Sequence, residues 1–129
     1  MRAVAVVAAG DGFSASARQR IERAIAEAEA VGGVSFTVNV GSADGDTRVH
    51  AQKLLAGAHA YGPHVVVFVS PGQRRTEVVT NAAARSLITD EAAALAVLSM
   101  TTSFSVGDLT GGIVTGVRML GEAAHALAV

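Results

Sequence analysis

The side chains of this chain best suited to chemistry are its aspartates. Asp44-Gly45-Asp46 is a D-x-D pair, whose oxygens could hold a hard cation such as calcium or magnesium. The full calcium-loop pattern needs further acids and a closing bidentate Glu. Both are missing, and turn formation and helix capping account for Asp44 and Asp46. Asp90 and Asp108, brought together beside the Thr89 hydroxyl, could bind a cation or polarise a water. Each also stands where a helix N-cap or first-turn acid belongs, facing the positive end of the helix dipole. We favour that structural role. No residue is therefore assigned to catalysis, to a cofactor or to a metal. The alternative is a catalytic pair of Asp90 and Asp108, with Asp44, Asp46, Asp90 and Asp108 as ligands of calcium or magnesium.

Other reactive side chains form no motif. His50, His59, His64 and His125 lack H-x-H or HExxH spacing. His59 and His125 fall near expected helix C-termini, where partial positive charge is welcome. The chain has no G-x-S-x-G elbow and no phosphate-cradling Gly-x-x-x-x-Gly-Lys. Gly107-Asp108-Leu109-Thr110-Gly111-Gly112 leads into a helix whose start could take an anion, but Asp108 would repel it. Arg74-Arg75 flanks a tight turn. It could meet a phosphate or an acidic partner, or stay solvated and guard an edge strand from mispairing.

Composition removes several classes of function. The formal charge of −1 leaves no electrostatic footprint for nucleic acid. One Tyr, four Phe and no Trp leave no stacking platform for single strands. With no cysteine there is no disulfide, thiolate zinc site or thiol nucleophile. At 129 residues and 50% hydrophobic the chain reads as a single domain, 1–129, with a core of Ala, Val, Leu and Ile. No run reaches the roughly 18 apolar residues of a membrane span. Met1–Gly10 carries one Arg before a short apolar run, which reads as an edge strand or tail over 1–12 rather than a secretory leader. We expect a cytoplasmic protein.

The elements that position these residues follow from periodicity. Val65-Val66-Val67-Phe68-Val69 is an unbroken apolar run between Gly62-Pro63 and Pro71-Gly72. Lack of alternation predicts a central strand covered on both faces. Val34, Phe36, Val38 and Val40 alternate with polar residues, predicting a strand nearer an edge. Between the two, Ala51, Leu54, Leu55 and Ala58 have helical spacing, so the strands can be parallel. Four residues, Pro71–Arg74, then lead into Thr76–Thr80. That is too short for a crossover, so this pair is antiparallel. Ser14 caps a first helix with Ile21, Ala24, Ile25 and Ala28 as its apolar stripe. Gly32-Gly33 stops it. Arg18/Glu22 and Arg23/Glu27 are spaced for ion pairs on its wet side. Asn81–Leu87 reads as a short helical turn. Thr89 opens a helix that is almost wholly apolar from Ala92 to Met100, predicting burial. Asp108 caps a last helix whose face is Ile113, Val117, Leu120, Ala124 and Leu127. Gly112 and Gly116 lie on that helix, and each costs about 1 kcal/mol there relative to Ala. Close approach by a neighbouring helix is the favoured reason, and a homodimer through the Gly112/Gly116 face is a further reading.

The order of these motifs resembles a known family. A helix ends in Ala-Glu-x-x-x-Gly; Phe36–Val40 and Ala51-Gln52-Lys53-Leu54-Leu55 follow. Then come Ser70–Thr80, Leu87-Ile88-Thr89-Asp90 and Phe104–Gly112. Over about Phe13 to Ala126 this resembles the TPM domain family, and more closely an actinobacterial branch of unknown function. The resemblance implies a Rossmann-like α/β sandwich, and in some members acid-phosphatase activity or divalent-cation binding. This chain departs from that pattern. Tyr61-Gly62-Pro63-His64 stands where many members carry an acidic Asp-Asn-Gly, and Asn81-Ala82-Ala83 replaces a Gly-rich turn. Only Asp90 and Asp108 carry over, and a site short of oxygen ligands binds cations poorly. The expectation is a three-layer α/β sandwich with a mixed sheet of three to four strands. Its expected function is that of a non-catalytic module for a protein partner or small ligand. A metal-dependent phosphatase using Asp90 and Asp108 is the alternative.

Overall fold

A computed structural model describes residues 13–128. The expected strand or tail over 1–12 lies outside the described residues. Helix α1 (Ala15–Gly32) begins where the Ser14 hydroxyl accepts the Ala17 N–H at 3.0 Å and ends at Gly33, where φ is +72°. Its buried stripe is Ile21, Ala24, Ile25 and Ala28, at the predicted spacing. Strand β1 (Ser35–Val40) buries Phe36, Val38 and Val40 on one face and leaves Ser35, Thr37 and Asn39 half-buried on the other. Helix α2 (Thr47–Gly57) follows, then strand β2 (His64–Ser70), every residue of which is buried. Strand β3 (Arg75–Thr80) and the single turn α3 (Ala82–Arg85) lead to α4 (Asp90–Ser105) and α5 (Leu109–Ala128).

The sheet has the order β1-β2-β3, parallel in the first pair and antiparallel in the second. β2 is thus the central strand. Its alternate residues serve two cores, each apolar side chain gaining about 1.5–3 kcal/mol by full burial. Val65, Val67 and Val69 face α1, α4 and α5. Val66 and Phe68 face α2 through Ala51, Leu54 and Leu55. The result is a three-layer α/β sandwich, as the motif order implied. α2 packs chiefly on β2 and β3, in keeping with the polar α2-side face of β1. On the opposite face α5 lies between α1 and α4, with α1 beside β1 and α4 beside β3.

Three expectations change. The apolar run Ala92–Met100 is not buried throughout: Ala96 and Met100 are, whereas Leu95 is 59% and Leu98 63% exposed. Among the described residues α4 is the outer helix of its layer, so only one stripe has anything to pack against. Leu127, expected on the buried face of α5, is 54% exposed in its last turn. The Gly112/Gly116 face is not open to a second copy of the chain. A Cβ at Gly112 would lie 2.6 Å from Phe104 Cε1, and one at Gly116 would lie 2.6 Å from Met100 Cγ. Both neighbours belong to α4, so the close approach is intramolecular.

A second close approach has no counterpart in the sequence reading. At the α1–α5 crossing, a Cβ on Gly121 would lie 2.7 Å from Ala28 Cβ and 2.9 Å from Ala28 Cα. One on Gly32 would lie 2.6 Å from the Gly121 carbonyl oxygen. Here backbone meets backbone. Glu27, spaced for Arg23, instead meets Arg118 of α5 at 3.2 Å along the same seam.

Candidate functional site

The carboxyl ends of β1 and β2 and the start of β3 form one end of the sheet. Gln73 ties its loops together. It accepts the Ala43 N–H at 3.0 Å and the Ser70 hydroxyl at 2.6 Å, and donates to the Gly45 carbonyl at 3.4 Å. The Gly41 N–H reaches the Val69 carbonyl at 3.0 Å. A cleft of about 420 Å³ opens here between the Pro71–Arg74 turn, the C-terminal turns of α4 and the start of α5. Val69, Pro71, Phe104 and Leu109 are among its apolar walls, and Arg74 and Arg75 line it. A second hollow of about 290 Å³ adjoins it across Gly107 and Leu109, with Asp108 and Ser14 in its wall.

Arg74 stands out. Its φ is +54°, a left-handed backbone that costs a residue with a Cβ roughly 1–2 kcal/mol. Among the described residues it has no carboxylate within ion-pair distance. Arg75 differs, because its Nη2 reaches Glu77 Oε2 at 3.4 Å. Glu77 is buried, accepting the Thr47 hydroxyl at 2.6 Å and Arg48 Nη1 at 3.5 Å. This cluster fastens the start of α2 to β3 and keeps a buried carboxylate satisfied. In the sequence Glu77 is marked only as a strand residue.

At the other end of the sheet His64 is almost fully buried at the start of β2. Ser35 Oγ lies 2.5 Å from Nδ1 and Thr37 Oγ1 2.8 Å from Nε2. Ser35 also donates to the Pro63 carbonyl at 3.2 Å. Its lone pairs therefore face the ring, which fits an Nδ1–H tautomer with Thr37 donating to Nε2. Burial holds the His64 imidazole below its ordinary pKa. The Ser35 proton is directed at a backbone carbonyl rather than at the ring, so the arrangement is a clasp between two strands, not a nucleophile with its base. Nothing in the spacing of Ser35, Thr37 and His64 marked it. It arises from the parallel register that sets Ser35 opposite His64.

The aspartates take separate posts. Asp46 Oδ1 accepts the Arg48 and Val49 N–H groups at 2.8 and 3.0 Å, capping α2. Asp108 Oδ1 accepts the Gly111 N–H at 2.9 Å, capping α5. The capped N–H belongs to a glycine because a Cβ at Gly111 would collide with that carboxylate. Thr89 caps α4 through the Ala92 N–H at 3.1 Å, leaving Asp90 in its first turn. Asp44 is exposed in the loop before α2. Asp90 and Asp108 do not converge. They flank the two ends of α4, 16 residues long, which at about 1.5 Å per residue separates them by about 24 Å. Among the described residues no three His, Asp or Glu side chains gather as metal ligands would. Nor, among them, is any helix long and apolar enough to cross a membrane.

Comparison with solved structures places this architecture beside two others. The BA42 protein of the psychrophilic bacterium Bizionia argentinensis superposes with a TM-score of 0.81 at 16% identity, over 93% of this chain and 86% of that one. The N-terminal domain of the cg2496 protein of Corynebacterium glutamicum gives 0.81 at 19% identity, over 96% and 82%. At such identities the likeness is one of fold. The uncharacterised protein Rv2468c of Mycobacterium tuberculosis is 30% identical over 87 residues, 67% of this chain and 52% of the relative. The chain thus spans about half the length of the curated relatives it matches. Residues 2–121 match the family described as "Domain of unknown function (DUF5130)", and the chain belongs to that family.

Proposed function

We propose that this chain is a non-catalytic binding module whose small ligand or partner segment enters the cleft beside Arg74. The observation that carries the reading is the position of that cleft. It lies at the carboxyl end of β2, which runs parallel to β1, and at the start of β3; open α/β sheets take their ligands at the carboxyl ends of their strands. Its volume is within the range of about 300–1,000 Å³ usual for small-molecule sites. The helix-capping roles of Asp46 and Asp108 support the non-catalytic half of the proposal. The order of motifs from Phe36 to Gly112 further supports reading the family as a relative of the TPM domain. The phosphatase alternative through Asp90 and Asp108 draws on that resemblance and on the chemistry two carboxylates would have if brought together.

Amide-shift mapping with a mixed fragment set tests the binding reading. Shifts should concentrate at Val69–Thr76 and Thr101–Leu109. Hits confined to other surfaces would overturn it. Incubation with a generic phosphomonoester, with and without magnesium or calcium, tests the other half. Turnover that Asp90→Asn abolishes would refute the absence of catalysis.

A further inference from the structure

We infer that the cleft beside Arg74 recognises an amphipathic monoanion: a carboxylate head on an apolar body. The inference rests on the cleft being a ligand site and specifies what it takes. Three independent observations lead to it.

The first is where the cleft keeps its protons. Ser70, Thr101 and Ser105 line it, yet each hydroxyl has already donated within the chain. Ser70 donates to Gln73 Oε1 at 2.6 Å, Thr101 to the Val97 carbonyl at 2.8 Å, and Ser105 to the Thr102 carbonyl at 2.6 Å. What these three hydroxyls offer a ligand is lone pairs, which leaves Thr76 as the lining hydroxyl that has not donated among the described residues. A carboxylate can turn both its oxygens to one guanidinium fork, whereas the further oxygens of a phosphate would be left against acceptors there.

The second is the balance of cations. The guanidinium donors come from Arg74 and Arg75. Arg75 is shared with Glu77 at 3.4 Å, while Arg74 has no carboxylate partner among the described residues. Glu77 is shared in turn with Arg48 at 3.5 Å, so Arg74 brings one whole positive charge to the cleft and Arg75 part of a second, and Arg74 presents its charge as a planar fork that fits a carboxylate. The rest of the lining that a ligand body would touch is apolar, chiefly Phe104, Leu109 and Pro71.

The third is the backbone of Arg74. A φ of +54° is a conformation glycine adopts freely and arginine does not. A turn serving only to reverse the chain would be more stable with glycine at this position. Strain held at a charged residue on the wall of a cleft points to use of the side chain.

The test uses 4-phenylbutyrate, its neutral analogue 4-phenyl-1-butanol and inorganic phosphate, titrated into the full chain and followed by amide shifts. The carboxylate should perturb Thr76, Thr101 and Leu109 and bind about tenfold more tightly than the alcohol. Phosphate should leave those amides unmoved. Arg74→Gly should raise the thermal midpoint, by releasing the strained backbone, and weaken 4-phenylbutyrate about tenfold. Arg74→Gln keeps the strain, removes the charge and should weaken binding equally. Unchanged affinity in both variants, or phosphate binding as tightly as the carboxylate, overturns the proposal. If the carboxylate and the alcohol bind the cleft equally, the assigned head falls while the binding module stands. If no probe or fragment maps to the cleft, both fall together.

Discussion

Replacing Gly121 by alanine should damage this fold more than replacing Gly116, although both lie on α5 and face another helix. At Gly121 the added methyl would stand 2.7 Å from Ala28 Cβ, 2.9 Å from its Cα and 3.0 Å from its carbonyl oxygen. Two of those three atoms are backbone of α1, and the third is rigidly attached to it. Ordinary contact requires α1 and α5 to part by about 0.5–1 Å, a gap that forfeits a quarter to a half of the dispersion between facing atoms. The loss would spread along the seam that buries Ile21, Ala24, Val117, Leu120 and Ala124. Overpacking of this kind costs typically about 1–3 kcal/mol and sometimes more, while alanine returns about 1 kcal/mol of helix propensity. Because none of the three atoms can move by itself, the cost belongs at the upper end, and the net loss should be about 2 kcal/mol, a fall of roughly 6–10 °C in thermal midpoint for a domain of this size. At Gly116 the methyl would meet Met100 Cγ and Sδ at 2.6 Å and Cε at 3.0 Å. That side chain is flexible and can swing aside. Gly116→Ala should therefore stay within about 1 kcal/mol of the parent, because the propensity gain offsets the repacking. Urea and thermal unfolding of the two variants decide the matter. A midpoint for Gly121→Ala equal to the parent's, or below-parent stability in Gly116→Ala alone, would refute the reasoning.

Three further outcomes follow from the same structure. Burial holds His64 below the ordinary imidazole value, so as pH falls the unfolded chain takes up that proton first. The stability contributed by the neutral ring is complete above about pH 6.5 and is lost as pH falls from there through the folded-state value. The stability gap between the parent and His64→Gln should therefore narrow between about pH 7.5 and 5.5; a constant gap in urea unfolding would contradict this. Glu77→Ala strands the buried Thr47 hydroxyl and should cost about 1–3 kcal/mol, whereas Arg48→Ala, whose side chain is mostly exposed, should cost under about 1 kcal/mol. Equal losses would show that the ion pair, not the buried hydroxyl, holds α2 to β3. Asp46→Ala removes the acceptor of two α2 N–H groups and should cost about 1 kcal/mol, with no change in affinity for magnesium or calcium by titration calorimetry. Loss of measurable cation binding in this variant would restore Asp46 as a ligand.

Much of the architecture was legible in the chain because its signals are short-range. Ser14, Asp46, Thr89 and Asp108 each cap a helix through N–H groups two or three residues away. The unbroken Val65–Val69 run and the four-residue link after Ser70 imply a central strand with an antiparallel neighbour, and the sheet has both. The candidate site was less legible. Arg74 and Arg75 were visible as a pair. Their opposite states, one ion-paired and the other strained and without a carboxylate among the described residues, depend on Glu77 and on the geometry of the turn.

Sequence by itself determined where helices and strands begin, which face of each is apolar, and that the aspartates suit helix starts. Tertiary structure alone decided which apolar faces find a partner. It left Leu95 and Leu98 in solvent because α4 is outermost, and it brought Gly32 and Gly121 into backbone contact across 89 residues of chain. It also set Asp90 and Asp108 at opposite ends of one helix and hollowed the cleft beside Arg74. Capping and periodicity are settled within a turn or two of chain, whereas crossings, clefts and distances between distant residues follow from how whole elements share the surfaces of one sheet.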